Sequence, residues 1–351
     1  MSGAQVTPLS AVRLHIGGAA SLFVAALLAL TVGPVEIDPF EAWSAPSDDP
    51  AHVILFGARL PRVLLAALVG GALGLGGAGL QALLHNPLAC PHILGISGGA
   101  ALFGILAMIF APALIAVVGF ADASGDAAFA LVPFAAFAGA LGTAALVRGV
   151  AAASGRVTPH TLLLTGVVFN AFAAALITFI NSLADFYRAY GILAWVVGTL
   201  VVRGDAWTWA AGLTLVAGLG LLAASARDLN ALALGEEGAV SLGVDVGRAR
   251  RRVYLAVALL VAGAVPVSGM IGFVGLIVPH AVRLVVGSDQ RRVLPASLWG
   301  GAVFLVLADT AARTALGPTE LPVGVVTALC GGPFFLYLLR RQGRRELAGA
   351  G

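Results

Sequence analysis

Apolar residues run along this chain in long blocks, broken by polar or proline-bearing stretches rather than at short regular intervals. A helix needs roughly 20 mostly apolar residues to cross about 30 Å of hydrocarbon. Ten blocks approach that length, with cores at 14–33, 60–82, 93–114, 129–149, 161–183, 206–225, 252–268, 271–286, 295–314 and 321–339. The eighth is short and carries Pro279, which predicts a partial or tilted span. Residues 190–202 predict an extra helix lying at the surface. The first block has no small-residue cleavage site, so it reads as a retained span rather than a signal peptide. The expected fold class is all-α, a polytopic membrane protein with about ten transmembrane helices.

Composition agrees with the pattern. A mean hydropathy of +0.99 and 60% apolar residues exclude a soluble globule of 351 residues. All 20 basic residues are arginine. An N-terminus inside and ten crossings place most of them on the inner side, including Arg248, Arg250, Arg251, Arg252, Arg291 and Arg292. The acid-rich stretch from Glu36 to Asp49 then falls outside, which fits the positive-inside rule and makes both termini cytoplasmic. The net charge of +3 thus reports topology and implies no nucleic acid. The expected organisation is a tail at 1–10, one membrane domain at 11–342 and a second tail at 343–351.

The longest polar interruption facing the cytoplasm is "LNALALGEEGAVSLGVDVGRARRR", Leu229 to Arg252, between the sixth and seventh spans, with 229–246 as its candidate coupling segment. Gly235, Gly238, Gly243 and Gly247 divide it into pieces of one or two helical turns. Leu232, Leu234, Val240, Leu242 and Val244 keep apolar residues in each piece. Two readings follow: a folded knob that another protein grips, or a solvated loop anchored by "RARRR". A phosphate-binding loop of the form G-x-x-x-x-G-K-[ST] needs lysine, and this chain has none. If ATP drives its work, the motor must be a separate protein.

Other polar residues are few. Arg59 and Arg62 flank Pro61 at the outer mouth of the second span, and Arg313 lies at the outer end of the ninth. They either snorkel to headgroups or serve a partner. Asp309 is the one carboxylate inside a predicted span, four residues before Arg313 on the same helix face, which points to local charge neutralisation. The glycines of "GGALGLGGAGL" fit close helix packing. Cys90 and Cys330 indicate neither a disulfide nor a metal site, and no catalytic triad or paired-carboxylate site is present.

Several stretches resemble, in order, the permeases of ABC importers that take up iron chelates, haem and vitamin B12. They are "RLPRVLLAALVGGALGLGGAGLQALLHNPLACPHILGISGGAAL", "TLLLTGV", "LNALALGEEGAVSLGV", "GFVGLIVPHAVRL" and "DTAARTALGPTELPVGVVTALCGGPFFLYLL". The resemblance runs from about residue 55 to 340 and implies the type II importer fold. It implies that Leu234, Gly235, Glu236, Glu237, Gly238, Ser241, Leu242 and Gly243 dock into an ATPase subunit. Arg59, Arg62 and Arg313 would pair with glutamates of an extracytoplasmic substrate-binding protein, and Asn86, Leu88 and Thr158 would belong to the inner gate. Cys90 departs from the family pattern, which usually has an acid there. The implied partners are a second copy of the chain, two ATPase subunits carrying ATP and Mg, the binding protein and the lipid bilayer of the bacterial inner membrane. This chain would bind no cofactor of its own. Ferric siderophore ranks first as cargo, cobalamin second because "RAYGILAWVVGTL" resembles corrinoid permeases, and haem third. Haem would call for side chains such as Tyr187, Tyr190 or Met270 in the pathway. An ion-coupled carrier is the alternative class and would need buried ionisable residues near mid-membrane.

Overall fold

The computed structural model describes the backbone of residues 8–349 except 119–124, 154–157, 201, 203 and 318. Side chains are described for these residues apart from 8–11, 112–118, 125–130, 187–188, 337–339 and 341–349. Most of the expected N-terminal tail, and the Tyr187 side chain, thus lie outside the described residues.

Among the described residues all regular structure is helical. After α1 (Pro8–Thr31), the acidic stretch folds into α2 (Pro39–Ser44) and α3 (Pro50–Val53). Each begins with proline in its first turn and is capped by an aspartate, Asp38 accepting from the Phe40 N–H at 2.8 Å and Asp49 from that of Ala51 at 2.7 Å. A π-helical turn, Ile54–Arg59, joins α3 to α4 (Leu60–Leu83). There follow α5 (Ile96–Val118), α6 (Gly125–Ala153), α7 (Pro159–Leu183), α8 (Phe186–Val197) and α9 (Asp205–Leu232). The chain ends with α10 (Glu236–Ser241), α11 (Val246–Ser268), α12 (Val274–Val286), α13 (Gln290–Thr314) and α14 (Val323–Gly349).

Seven of the described helical stretches are long and apolar enough to cross a membrane, and α5, α12 and α14 contribute three shorter apolar stretches. These ten correspond in order to the ten apolar blocks. Burial sorts them into inner and outer positions. In the apolar windows of α4 and α11, 83% and 78% of residues are buried, against 11% in α1 and 17% in α7. The bundle is therefore built around α4 and α11, while α1 and α7 present apolar side chains outward.

The small residues of α4 explain its central place. A methyl group at Gly70 or Gly74 would collide with the backbone of Gly301 or Ser297 on α13, and one at Gly77 with Gly275 on α12. Backbone-to-backbone approach is available only where no side chain intervenes. Between α6 and α11, Tyr254 is buried and its hydroxyl donates to the Ala144 carbonyl at 2.9 Å.

Three segments depart from the sequence expectation. Helix α9 runs seven residues beyond 225 to Leu232, because Leu229 and Leu232 remain buried, so the polar segment expected to begin at 229 starts inside a helical turn. Helix α8 spans 186–197 rather than 190–202 and turns Ile192 and Trp195 inward instead of lying on the surface throughout. Helix α14 continues through 343–349, where a tail was expected.

Candidate functional site

The polar segment between α9 and α11 is a folded unit. Gly235 at φ 93° ends the α9 turn and opens α10, and Gly243 at φ 81° closes it, both in a region L side chains rarely adopt. Ala239 on α10 is fully buried, and Val244 and Val246 pack against the core behind it. The Val244 N–H donates to the Ala239 carbonyl at 3.0 Å, folding the chain back beneath the helix. Asp245 caps α11, accepting from the Arg248 N–H at 2.9 Å. The hydrogen bonds from the Arg248 backbone and side chain hold its carboxyl below the ordinary range. Glu236 pairs with Arg250 of α11.

With that foundation fixed, Leu234, Val240 and Leu242 stand out at 71%, 61% and 63% exposure. Glu236, Glu237, Ser241 and Gly243 are exposed around them, and Gly238 is partly covered. Three large apolar side chains, anchored and rimmed by carboxylates, have the composition of a partner's seat rather than of a solvated loop.

This knob is tied to the preceding loops. His85 Nε2 hydrogen-bonds the Leu232 carbonyl at 2.7 Å, two residues before Leu234. His85 adopts φ 49°, a left-handed conformation, and so turns the chain from α4 into the next loop. There the Asn86 carboxamide accepts from the Leu88 N–H at 2.8 Å. On the other flank, Asn230 Nδ2 donates to Asp289 at 2.7 Å and its Oδ1 accepts from the Gln290 N–H at 2.9 Å. Burial opposes the charge on Asp289, but hydrogen bonds from Arg291 and Asn230 prevail and hold its carboxyl below the ordinary range. Thr158 caps α7 through a reciprocal pair of hydrogen bonds with Thr161, at 3.0 and 3.2 Å.

Where α1, α4 and α13 meet, the three arginines are already engaged. Arg59 is 4% exposed and donates to the carbonyls of Leu30, Thr31 and Val35, closing the C-terminal end of α1. Arg313, 3% exposed, pairs with Asp309 at 3.1 Å and donates to the Ala29 carbonyl at 3.3 Å. Arg62 holds Asp309 through Nε and a terminal nitrogen at 3.1 and 3.0 Å, and reaches Glu320 at 2.8 Å. Only Arg62 and Glu320 of this cluster keep side-chain surface open, 21% and 42%. The expected Asp309–Arg313 pair is present, with Arg62 as a third member that helical spacing alone did not reveal.

The segment 85–95 reaches well beyond the start of α7. Its 3₁₀ turn, Pro91–Leu94, returns to the side of α7, where Asn170 Nδ2 donates to the His92 carbonyl at 2.6 Å. Asn170 lies twelve residues beyond Thr158, about 18 Å along the helix at 1.5 Å per residue. Three other chain ends meet there. The Met270 N–H donates to the Trp195 carbonyl at 3.3 Å and the Gly324 N–H to that of Gly198 at 3.1 Å. The end of α8, the unwound Gly269–Phe273 between α11 and α12 and the start of α14 thus surround a cleft of about 580 Å³ lined by His92, Val196, Met270, Phe273, Val325 and Leu329. Met270, unplaced by sequence, lines it; Tyr190 is not among its lining residues. Cys90 precedes the Pro91–Leu94 turn, and burial pushes its thiol up.

Comparison with known proteins agrees with this architecture. The model of the FecCD transport family matches residues 21–341. The cobalamin import system permease protein of Halobacterium salinarum is 45% identical over 301 residues, covering 85% of this chain and 76% of that one. The hemin transport system permease protein of Yersinia pestis is 40% identical, covering 92% and 93%. A solved structure of a metal-chelate type ABC transporter in an inward-facing conformation superposes with a TM-score of 0.79 at 30% identity, covering 94% of this chain and 99% of that one. This multi-pass helical bundle, matched along nearly its whole length, belongs to the FecCD transport family, whose relatives are membrane permease subunits of ABC transporters.

Proposed function

We propose that this chain is the permease of a binding-protein-dependent importer for a metal chelate, with ATP hydrolysed on two attached subunits that carry ATP and Mg. The observation that carries this is the knob: Leu234, Val240 and Leu242 exposed on a rigidly anchored α10. Movement of α10 reaches the 85–95 segment through the bond from His85 to the Leu232 carbonyl, which makes Asn86 and Leu88 the first gate residues to respond. Thr158, at the start of α7, is the second gate element in this reading.

Two copies are proposed to pair through α7 and α14. The outward face of α7 carries Asn170, Thr178 and Ser182 among its exposed apolar residues, and the cleft opens beside it. Outside, the binding protein docks at the Arg62 and Glu320 surface, with Arg59 and Arg313 supporting it from below. Family resemblance leaves the cargo open among ferric siderophore, ranked first on sequence, cobalamin and haem.

The ion-coupled alternative is disfavoured by Asp309. It is 1% exposed and committed to Arg62 and Arg313, which leaves no free carboxylate there to carry protons. The test is ATPase activity in liposomes of this chain purified with an ATPase subunit, with and without loaded binding protein. Stimulation by the loaded binding protein supports the importer. Uptake driven by a proton gradient with no ATPase attached contradicts it.

A further inference from the structure

We propose that the groove between α1 and the acidic α2–α3 segment is a phospholipid site selective for an ethanolamine headgroup, with an acyl chain in the groove and the ammonium at the acidic rim. The proposal is independent of the cargo and of the ATPase seat. It needs only the membrane-spanning fold.

The groove encloses about 430 Å³ and takes its walls from four elements: Phe23 and Leu27 of α1, Phe40 and Trp43 of α2, Phe56 of the π-helical turn and Leu60 of α4. Helix α2 is seated by its other side. Ala42 is fully buried, and the His52 ring donates through Nδ1 to the Ala42 carbonyl at 3.1 Å. The Phe56 ring lies 4.5 Å from His52 and 5.1 Å from Trp43 between ring centres. Phe40 and Trp43, three residues apart and so on one face of α2, are left 78% and 68% exposed. Phe23 and Leu27 are exposed opposite them.

The walls and the rim together select the occupant. Only 11% of the apolar window of α1 is buried, so its surface meets lipid tails. Phe23 lies eight residues, about 12 Å, before the helix end at Thr31, which is most of the roughly 15 Å of hydrocarbon in one leaflet. The charged stretch from Glu36 to Asp49 marks the headgroup level, and Trp43 within it is the residue type favoured there. Between Arg13 and Arg59 the chain has no arginine or lysine, and Arg59 itself turns inward to the carbonyls that end α1. Glu36, Asp38, Glu41 and Asp48 are exposed, and among the described residues none has a basic partner. Such a rim repels phosphatidylglycerol, which carries net negative charge, and attracts the ammonium of phosphatidylethanolamine with its three donors.

The experiment places the full chain in phosphatidylcholine vesicles containing a small fraction of phosphatidylethanolamine or phosphatidylglycerol brominated on the acyl chains, and records tryptophan quenching. The Trp43 share is the difference from Trp43→Phe. Brominated phosphatidylethanolamine should quench it at a several-fold lower fraction than brominated phosphatidylglycerol, and the double variant Glu41→Gln, Asp48→Asn should bring the two together. Both acids are exposed and neither caps a helix, so the variant should fold, which size exclusion and melting temperature check. In the native chain alone, unbrominated phosphatidylethanolamine should relieve the quenching and phosphatidylglycerol should not. Equal quenching by both lipids in the native chain reduces the groove to ordinary annular lipid and overturns the site. No quenching of Trp43 by either means that protein covers the groove, a second copy or a binding protein, and overturns it as well. Selectivity that persists in the double variant overturns the assignment of the acidic rim.

Discussion

The outer mouth and the inner knob solve opposite problems with similar residues. Outside, Arg62, Asp309, Arg313 and Glu320 satisfy one another, and two of the four are almost completely buried. Inside, the Glu236–Arg250 pair holds α10 in place but leaves Leu234, Val240 and Leu242 uncovered. The outer cluster is finished within one chain and stiffens the meeting of α1, α4 and α13. The inner one, in the proposed reading, is completed by a partner. Substitutions should separate the two, the first acting on stability and the second on association.

The largest effect is expected from Asp309→Ala. It strands the buried Arg313 guanidinium and removes the main partner of Arg62, which should cost about 3–5 kcal/mol. Thermal unfolding in detergent measures it, and a melting temperature close to that of the native chain would show that the outer cluster is not the stiff element described. Next is Gly74→Val, which drives a side chain into the Ser297 carbonyl and should cost about 1–3 kcal/mol through displacement of α13 from α4. Gly142→Ala is the control, since nothing lies within 4 Å of that position.

His85→Ala should have a smaller effect on stability, about 1 kcal/mol for one lost hydrogen bond. Its value is diagnostic. If the bond to the Leu232 carbonyl links knob to gate, ATPase association survives while transport per ATP hydrolysed falls. Equal loss of both would place His85 in the structure alone.

The smallest effect concerns pH. The carboxyl of Asp289 titrates below its ordinary value because of Arg291 and Asn230. Its stabilising contribution is therefore fully present above the ordinary aspartate pKa and is lost as pH falls through the lowered value. Asp289→Asn should lower stability at neutral pH and flatten the acid side of the stability profile, so that variant and native chain converge at low pH. An unaltered acid limb would mean that Asp289 contributes nothing there.

The same contrast shows what the sequence could and could not reveal. The ten apolar blocks were legible because spanning length is a one-dimensional property, and α10 was legible because Gly235 and Gly243 punctuate it. The α4 glycines announced close packing but not their partners Ser297 and Gly301, since nothing local encodes which helix approaches. Likewise, spacing paired Asp309 with Arg313, but the third member, Arg62, comes from 247 positions away. The cleft was illegible for a related reason. Pro91–Leu94 read as a turn in a cytoplasmic loop, and only its contact with Asn170 in the body of α7 brings His92 to the cleft that Met270 also lines. Glu320 carried no local signal, because its role is defined only by Arg62.

The most direct test of the inner knob as the motor's seat is co-purification of the ATPase subunit with the triple variant Leu234→Ser, Val240→Ser, Leu242→Ser. These side chains contact little within the chain, so the variant should fold and melt as the native protein does. If they are the seat, removing three anchors at roughly 1–2 kcal/mol each should abolish the stable complex and the ATPase response to binding protein. An ATPase that co-purifies with this variant as it does with the native chain would contradict the assignment of α10 as the coupling element.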